Sequence, residues 1–174
     1  MESVISRPDL AACGYFGRYI GLVEEDLLQA LGSGLQTTQS LLTPLTEEQS
    51  LHRYAEGKWS IKQVLGHIID AERIFVYRAL CVARCDDTKL PSFDENSYVE
   101  NAAFDAVPFG SLLEEFTSTR QSTIRFFRHL PSEAFDRTGV AGPNTMSVRA
   151  WGFTIAGHET HHRRILEERY LRRQ

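Results

Sequence analysis

Apolar residues recur at helical spacing in four segments of the chain, and no segment offers comparable support for a strand. The first segment runs from about Glu25 to Leu42, with Leu27, Leu28, Leu31, Leu35, Leu41 and Leu42 roughly on one stripe. Gly32 and Gly34 weaken it, and Pro44 limits its end. The second opens at Ser60, where Ser60-Ile61-Lys62-Gln63 fits a capping box. Val64, Ile68, Ala71, Phe75 and Arg78 then follow at helical spacing to Val82 or beyond. Ser111-Leu112-Leu113-Glu114 reads as a second capping box, opening a third helix through Phe116, Thr123 and Phe127 that Pro131 stops. The fourth takes Ser147 as N-cap and carries Trp151, Ile155, His158, His162 and Ile165 on its inner stripe to about Tyr170. The pattern predicts an all-α, up-down four-helix bundle.

The connections add detail. Residues 86–110 carry six acids against the single Lys89, and read either as a lid or site wall or as a solvated crossover. Residues 131–146, with Gly139, Gly142 and Pro143, join the last two helices. The first 24 residues read as extended or irregular chain packed across the bundle. No repeat or low-complexity tract divides the 174 residues, so one domain over 1–174 is expected.

Composition narrows the function class. The net charge of -4 and pI near 5.9 speak against nucleic acid, which calls for a basic patch. The arginines from Arg163 to Arg173 are interleaved with Glu167 and Glu168 and suit a solvated helix end. Residues 1–12 lack a signal-peptide pattern, and no apolar run approaches a membrane span. A cytoplasmic protein with reduced thiols is expected. Cys81 and Cys85 lie four apart on the second helix and read as two buried, inert thiols.

Three of the six histidines fall within Gly157-His158-Glu159-Thr160-His161-His162. At about 100° per residue, His158 and His162 sit about 40° apart, on the stripe that must face the core. Buried imidazoles need hydrogen bonds or a metal, and an i,i+4 pair can give two nitrogens to one ion. His161 points away from that pair. His67, on the inward face of the second helix, is the best third donor, whereas His52 and His129 sit where surface residues are expected.

His158-Glu159-x-x-His162 also satisfies the zincin motif, in which the glutamate is the general base. Zincins take their third ligand downstream, and only twelve residues follow His162. Glu167 and Glu168 are too close on the same helix to fold back, so a protease is not expected.

The run Lys58-Trp59-Ser60-Ile61-Lys62-Gln63-Val64-Leu65-Gly66-His67-Ile68-Ile69-Asp70-Ala71-Glu72-Arg73 resembles the first signature of the DinB-like superfamily, and Ala156 to His162 resembles the second. The resemblance extends from roughly residue 19 to 171. It implies an up-down bundle with a nickel- or zinc-type site, the first histidine falling on His67 and the spaced pair on His158 and His162. It also implies a small-molecule substrate. Related members include S-transferases that use low-molecular-weight thiols and proteins proposed as metal-dependent hydrolases.

Three histidines leave coordination positions open for water or substrate, which suits catalysis. Asp70, one turn past His67, and Glu159 are the candidate bases or orienters of a ligand ring, with the flank of the helix as the competing place for Glu159. Arg73, Arg78 and Tyr77 could bind an anionic co-substrate or pair with the acidic 86–105 stretch. Trp59 reads as a structural staple ahead of the second helix. A non-enzymatic, metal-binding stress-response homodimer is the alternative class.

Overall fold

The computed structural model describes residues 4–172. Its scaffold is four long helices: α1 (Leu27–Leu42), α2 (Ile61–Ala83), α3 (Phe109–Arg128) and α4 (Val148–Ile165). The last continues through a wider turn over Leu166–Tyr170. The all-α four-helix bundle is thus observed.

Local signals account for three of the four starts. The Asp26 carboxylate caps the Leu28 amide, and Ser147 caps Ala150 at 3.1 Å. Both halves of the Ser60/Gln63 capping box form. The third start departs from expectation, because the Ser111/Glu114 box does not form. α3 begins three residues earlier, with Pro108 at the N-cap position, and its Phe109 amide donates to Glu47 Oε2 at 2.8 Å. Glu47 belongs to the α1–α2 connection, so a carboxylate 62 residues away does the work of a local cap. The same carboxyl group also pairs with the buried Lys62, whose Nζ donates to the Val107 carbonyl at 2.7 Å.

Cross-helix contacts fix the course of the chain. His67 faces His158 and His162 while Phe75 stacks on Trp151, so α2 and α4 are antiparallel. Gln39 bonds Thr117 and the Leu31 carbonyl meets Arg120, so α1 and α3 are antiparallel too. Lys62 meets Val107, and Arg73 meets Glu115 further along, which makes α2 and α3 parallel. The helices run up, down, down, up, so the bundle has the four helices expected but not the simple up-down alternation, α2 and α3 being parallel. Two consecutive parallel helices require a return along the bundle, which is why residues 84–108 are long. That crossover is ordered by a short helix over Glu95–Asn101, capped by Asp94, and a turn at Phe104–Ala106. It is both a crossover and, at Ser92, Phe93 and Glu95, a cavity wall.

Two other connections correct the sequence reading. Residues 131–146 contain a hairpin, β1 (Thr138–Ala141) paired antiparallel with β2 (Asn144–Ser147), and Leu90 of the crossover bonds to it on both sides of Val140–Gly142. Strands of four residues are too short to display an alternating pattern; pairing defines them. The N-terminal stretch packs across the bundle as expected, but as helical turns over Leu10–Phe16 and Gly17–Ile20. It approaches α4 so closely that a side chain at Gly157 would collide with the Tyr19 carbonyl. Cys81 is buried as anticipated, whereas Cys85 is exposed, because α2 ends at Ala83 and Cys85 takes a positive φ of 59°.

The apolar core falls into two clusters at opposite ends of the bundle. One gathers Leu27, Phe75, Phe127, Val148 and Trp151; the other gathers Leu42, Ile61, Leu65, Leu112 and Leu166. Between them lies a stratum of buried polar groups: His67, Glu72, Arg120, His158 and Glu159, with Thr38 beside them. A polar layer across the middle of a bundle is costly unless every group is partnered. Its two halves find their partners in different ways.

Candidate metal centre

The antiparallel pairing of α2 with α4 brings His67 opposite the spaced pair on α4. His67 and His158 are each 5% exposed. Their Nε2 atoms lie 3.0 Å apart, and ring nitrogens of His67, His158 and His162 all fall within 4.8 Å of one another. Among the described residues this is the group of histidines, cysteines and acids able to hold a metal ion. The sequence expectation named the same three residues.

Electrostatics suit the donor set to a cation. Burial, then the neighbouring His161, pushes His67 down to about 4. Burial and the other histidines hold His158 and His162 well below the ordinary value. Neutral imidazoles present lone pairs, yet three mutually facing rings cannot all satisfy those lone pairs with one another's protons. A divalent ion accepts all three at once, and nickel and zinc both suit nitrogen donors. The residues present therefore fit the group.

Aromatic neighbours hold the rings in place. The Trp59 ring lies 4.9 Å from that of His67, Tyr19 lies 5.3 Å from His158, and Phe75 packs edge-on against His158 at 5.7 Å. Trp59 thus packs against the His67 ring as well as against the core. His161 borders the same cavity, its ring 5.3 Å from that of Tyr19, and lies outside the ligand group. His52 and His129 are exposed.

Neither candidate carboxylate faces the histidines. Glu159 is wholly buried on an adjacent face of α4, where it accepts from the Thr38 hydroxyl and lies 3.8 Å from Arg120 and 3.5 Å from Arg163. The helix flank considered for it is instead an interior position. Gly34 of α1 makes the room, since a side chain there would strike the Glu159 carboxylate. The glycine that weakened the helical pattern is what admits the acid. Asp70 is half-buried and turns toward Arg73 and the Glu115 side of α3; burial pushes its pKa up.

A cavity of about 370 Å³ opens over the three rings. Its walls come from the N-terminal turns, the crossover and the hairpin, supplied by Tyr19, Phe93 and Asn144 among others. No local pattern marks these residues, since three separate connections meet only in the fold. Of the proposed anion binders, Arg78 reaches this cavity, Arg73 pairs with Glu115 at 2.6 Å, and Tyr77 lies exposed elsewhere.

These rings also set a pH dependence in metal-free protein. Their folded pKa values lie below the unfolded value of 6.5, so the stability of the neutral buried form is fully present above that pH. It is lost as pH falls toward about 4, because the unfolded chain takes up protons that the folded chain refuses. Urea midpoints of chelator-treated protein are expected to drop between pH 7 and 5, and to drop less in His67→Gln. A midpoint that is level over that interval would contradict the assignment.

A four-helix bundle in which three histidines, two buried and one partly buried, converge under a cavity defines a class of candidate metalloproteins. The chain belongs to the DinB superfamily, whose family model matches residues 30–166. A relative in Oceanobacillus iheyensis is 26% identical over 120 residues, covering 68% of each chain, and its name proposes a metal-dependent hydrolase. YfiT from Bacillus subtilis shares the fold with a TM-score of 0.67 at 18% identity, covering 78% of this chain and 79% of its own. That protein is described as "a probable metal-dependent hydrolase with an unusual four-helix bundle topology". Among the described residues no helix is long and apolar enough to cross a membrane.

Proposed function

We propose that this chain is a metal-dependent S-transferase, in which His67, His158 and His162 hold one divalent ion, nickel or zinc, and a low-molecular-weight thiol is the transferred nucleophile. The observation that carries the reading is three neutral ring nitrogens under a small cavity, with both candidate bases, Asp70 and Glu159, turned away from them. A bound divalent ion supplies the Lewis acidity that favours the deprotonated form of a small nucleophile. Water, with a pKa of about 15.7, usually also relies on a positioned base, whereas a thiol near 8.5 needs much less help. The aromatic walls contribute by keeping water from the sulfur, and the crossover residue Phe93 forms part of that cover.

Hydrolysis is the second reading, favoured by the name of the Oceanobacillus relative. The two are separated with cobalt-substituted protein and a panel of thiols. Cysteine, glutathione or a bacillithiol-type thiol at millimolar levels is expected to perturb the cobalt spectrum, and the same thiol to be consumed with an electrophile only when metal is present. Spectra indifferent to all three thiols, together with metal-dependent ester cleavage, would replace transfer by hydrolysis.

A further inference from the structure

Three cationic side chains are buried among the described residues: Lys62, Arg78 and Arg120. Lys62 pairs with Glu47, and Arg120 pairs with Glu72 and lies near Glu159. Among the described residues Arg78 has no carboxylate partner, although it is only 5% exposed. One nitrogen, Nη2, donates to the Pro91 carbonyl at 2.7 Å. The rest of the guanidinium is lodged among rings, 5.1 Å from Trp151, 5.7 Å from Phe93 and 5.9 Å from Phe75. Those ring faces and one carbonyl offset part of the cost of burying the charge and leave it without a counter-ion.

The guanidinium borders the same cavity as the three histidines. Arg78 is eleven residues beyond His67 on α2, which returns it to nearly the same face about 16 Å along the axis. Helical side chains lean toward the N-terminus, so Arg78 leans back toward His67. Phe75 stands between them, its ring touching both Arg78 and His158. A second cation, Arg18, lies at the exposed edge, held by the Tyr19 hydroxyl at 2.6 Å. Against these stands one acid, the exposed Glu95. A chain with a net charge of -4 has thus gathered positive charge around one small cavity.

We propose that Arg78 binds a carboxylate of the small molecule on which the metal centre acts. The proposal rests on the reading of the three-histidine group as the reacting centre. The substrate is then an acid whose carboxylate and reactive group lie at opposite ends of an apolar body that runs past Phe75. A carboxylate matches the free edge of the guanidinium by paired N–H donation. As a monoanion it also loses less hydration among aromatic walls than a phosphate would. Arg78 is a binding residue here, and Pro91 fixes its orientation.

Calorimetry on metal-loaded protein in a chloride buffer tests this, with 3-phenylpropionate against its neutral counterpart 3-phenylpropionamide. The carboxylate is expected to bind roughly ten- to a hundredfold tighter. That preference should vanish in Arg78→Gln, which keeps an N–H for Pro91, and should largely persist in Arg18→Gln. It should also persist in His67→Ala, because the anion is held by the arginine and not by the metal. Equal binding of the two probes by the native chain, or no binding of the acid at 10 mM (about the weakest useful affinity), overturns the proposal without any variant. A preference that survives Arg78→Gln, or that disappears in His67→Ala, overturns it as well. Metal content is read separately by elemental analysis, so a chain found without metal would sink the centre while the charge preference stayed measurable.

Discussion

Replacing His158 by alanine is expected to weaken divalent-metal binding by roughly a hundred- to a thousandfold. Apparent binding energies of structural zinc sites reach about 10–16 kcal/mol over four ligands, so one ligand carries a few kcal/mol. His158 is the most constrained of the three: it lies 3.0 Å from His67 and is enclosed by Tyr19 and Phe75. Nothing next to it can substitute, because His161 points at Tyr19 and Glu159 is turned to Thr38 and Arg120 on the adjacent face of the helix. Native protein should carry close to one equivalent of metal by elemental analysis, and chelation should lower its melting temperature. At a metal concentration a hundred times Kd the stabilisation is about 2.7 kcal/mol. Full occupancy in a variant lacking all three histidines would show that the ion sits elsewhere. Loss of metal in the His161→Ala variant, equal to that in His158→Ala, would show that the ligand set is drawn wrongly.

The second large effect lies in the other half of the polar stratum. Arg120→Met should destabilise the fold by about 3–5 kcal/mol, read as a shift of the urea midpoint. The guanidinium is wholly buried and is held by both oxygens of Glu72, with Nε and Nη2 each at 2.9 Å. Nη1 donates to the Leu31 carbonyl at 3.2 Å and faces Glu159. Burial alone would push the Arg120 pKa down, but Glu72 and then Glu159 more than offset this and raise it. Removing the cation strands the Glu72 carboxylate in the interior and leaves Glu159 only Arg163 and the Thr38 hydroxyl, which is the expensive step. Changing Glu72, Arg120 and Glu159 together to methionine should recover most of the loss, since no charge is then left unpaired. A single Arg120→Met variant within about 1 kcal/mol of native would mean that water reaches this stratum.

The two halves of the polar stratum meet on the same helices. His158 and Glu159 are consecutive, so one face of α4 addresses the three-histidine cluster while the adjacent face is tied to α1 and α3 through Thr38 and Arg120. The zincin reading fails for this reason. In the sequence, Glu159 stands where a general base would; in the fold, its side chain is an interior strut.

How much could be read without the fold follows from how local each signal is. The periodicity of α1, α2 and α4, the caps at Ser60 and Ser147, and the i,i+4 relation of His158 to His162 are set within a turn or two of chain. His67 was found because it shares an inward face with Val64 and Ala71. Arg120 and Glu72 also carry a sequence signal: each is a charge set within an apolar stripe, Arg120 between Phe116 and Thr123, Glu72 between Ile68 and Phe75. The hairpin left none, since its four-residue strands exist through mutual pairing and the bond to Leu90.

The amino-acid sequence by itself determined the helices, most of their ends and the three histidines, because backbone capping, side-chain periodicity and ligand spacing act over a few residues. Only the tertiary structure decided the rest. Glu47 caps α3 across 62 residues, Glu159 turns inward to Arg120 in space left by Gly34, and Arg78 faces the cavity without a counter-ion. In each case the energy of a charged group depends on which partner the fold brings within a few ångströms, and that partner comes from a distant part of the chain.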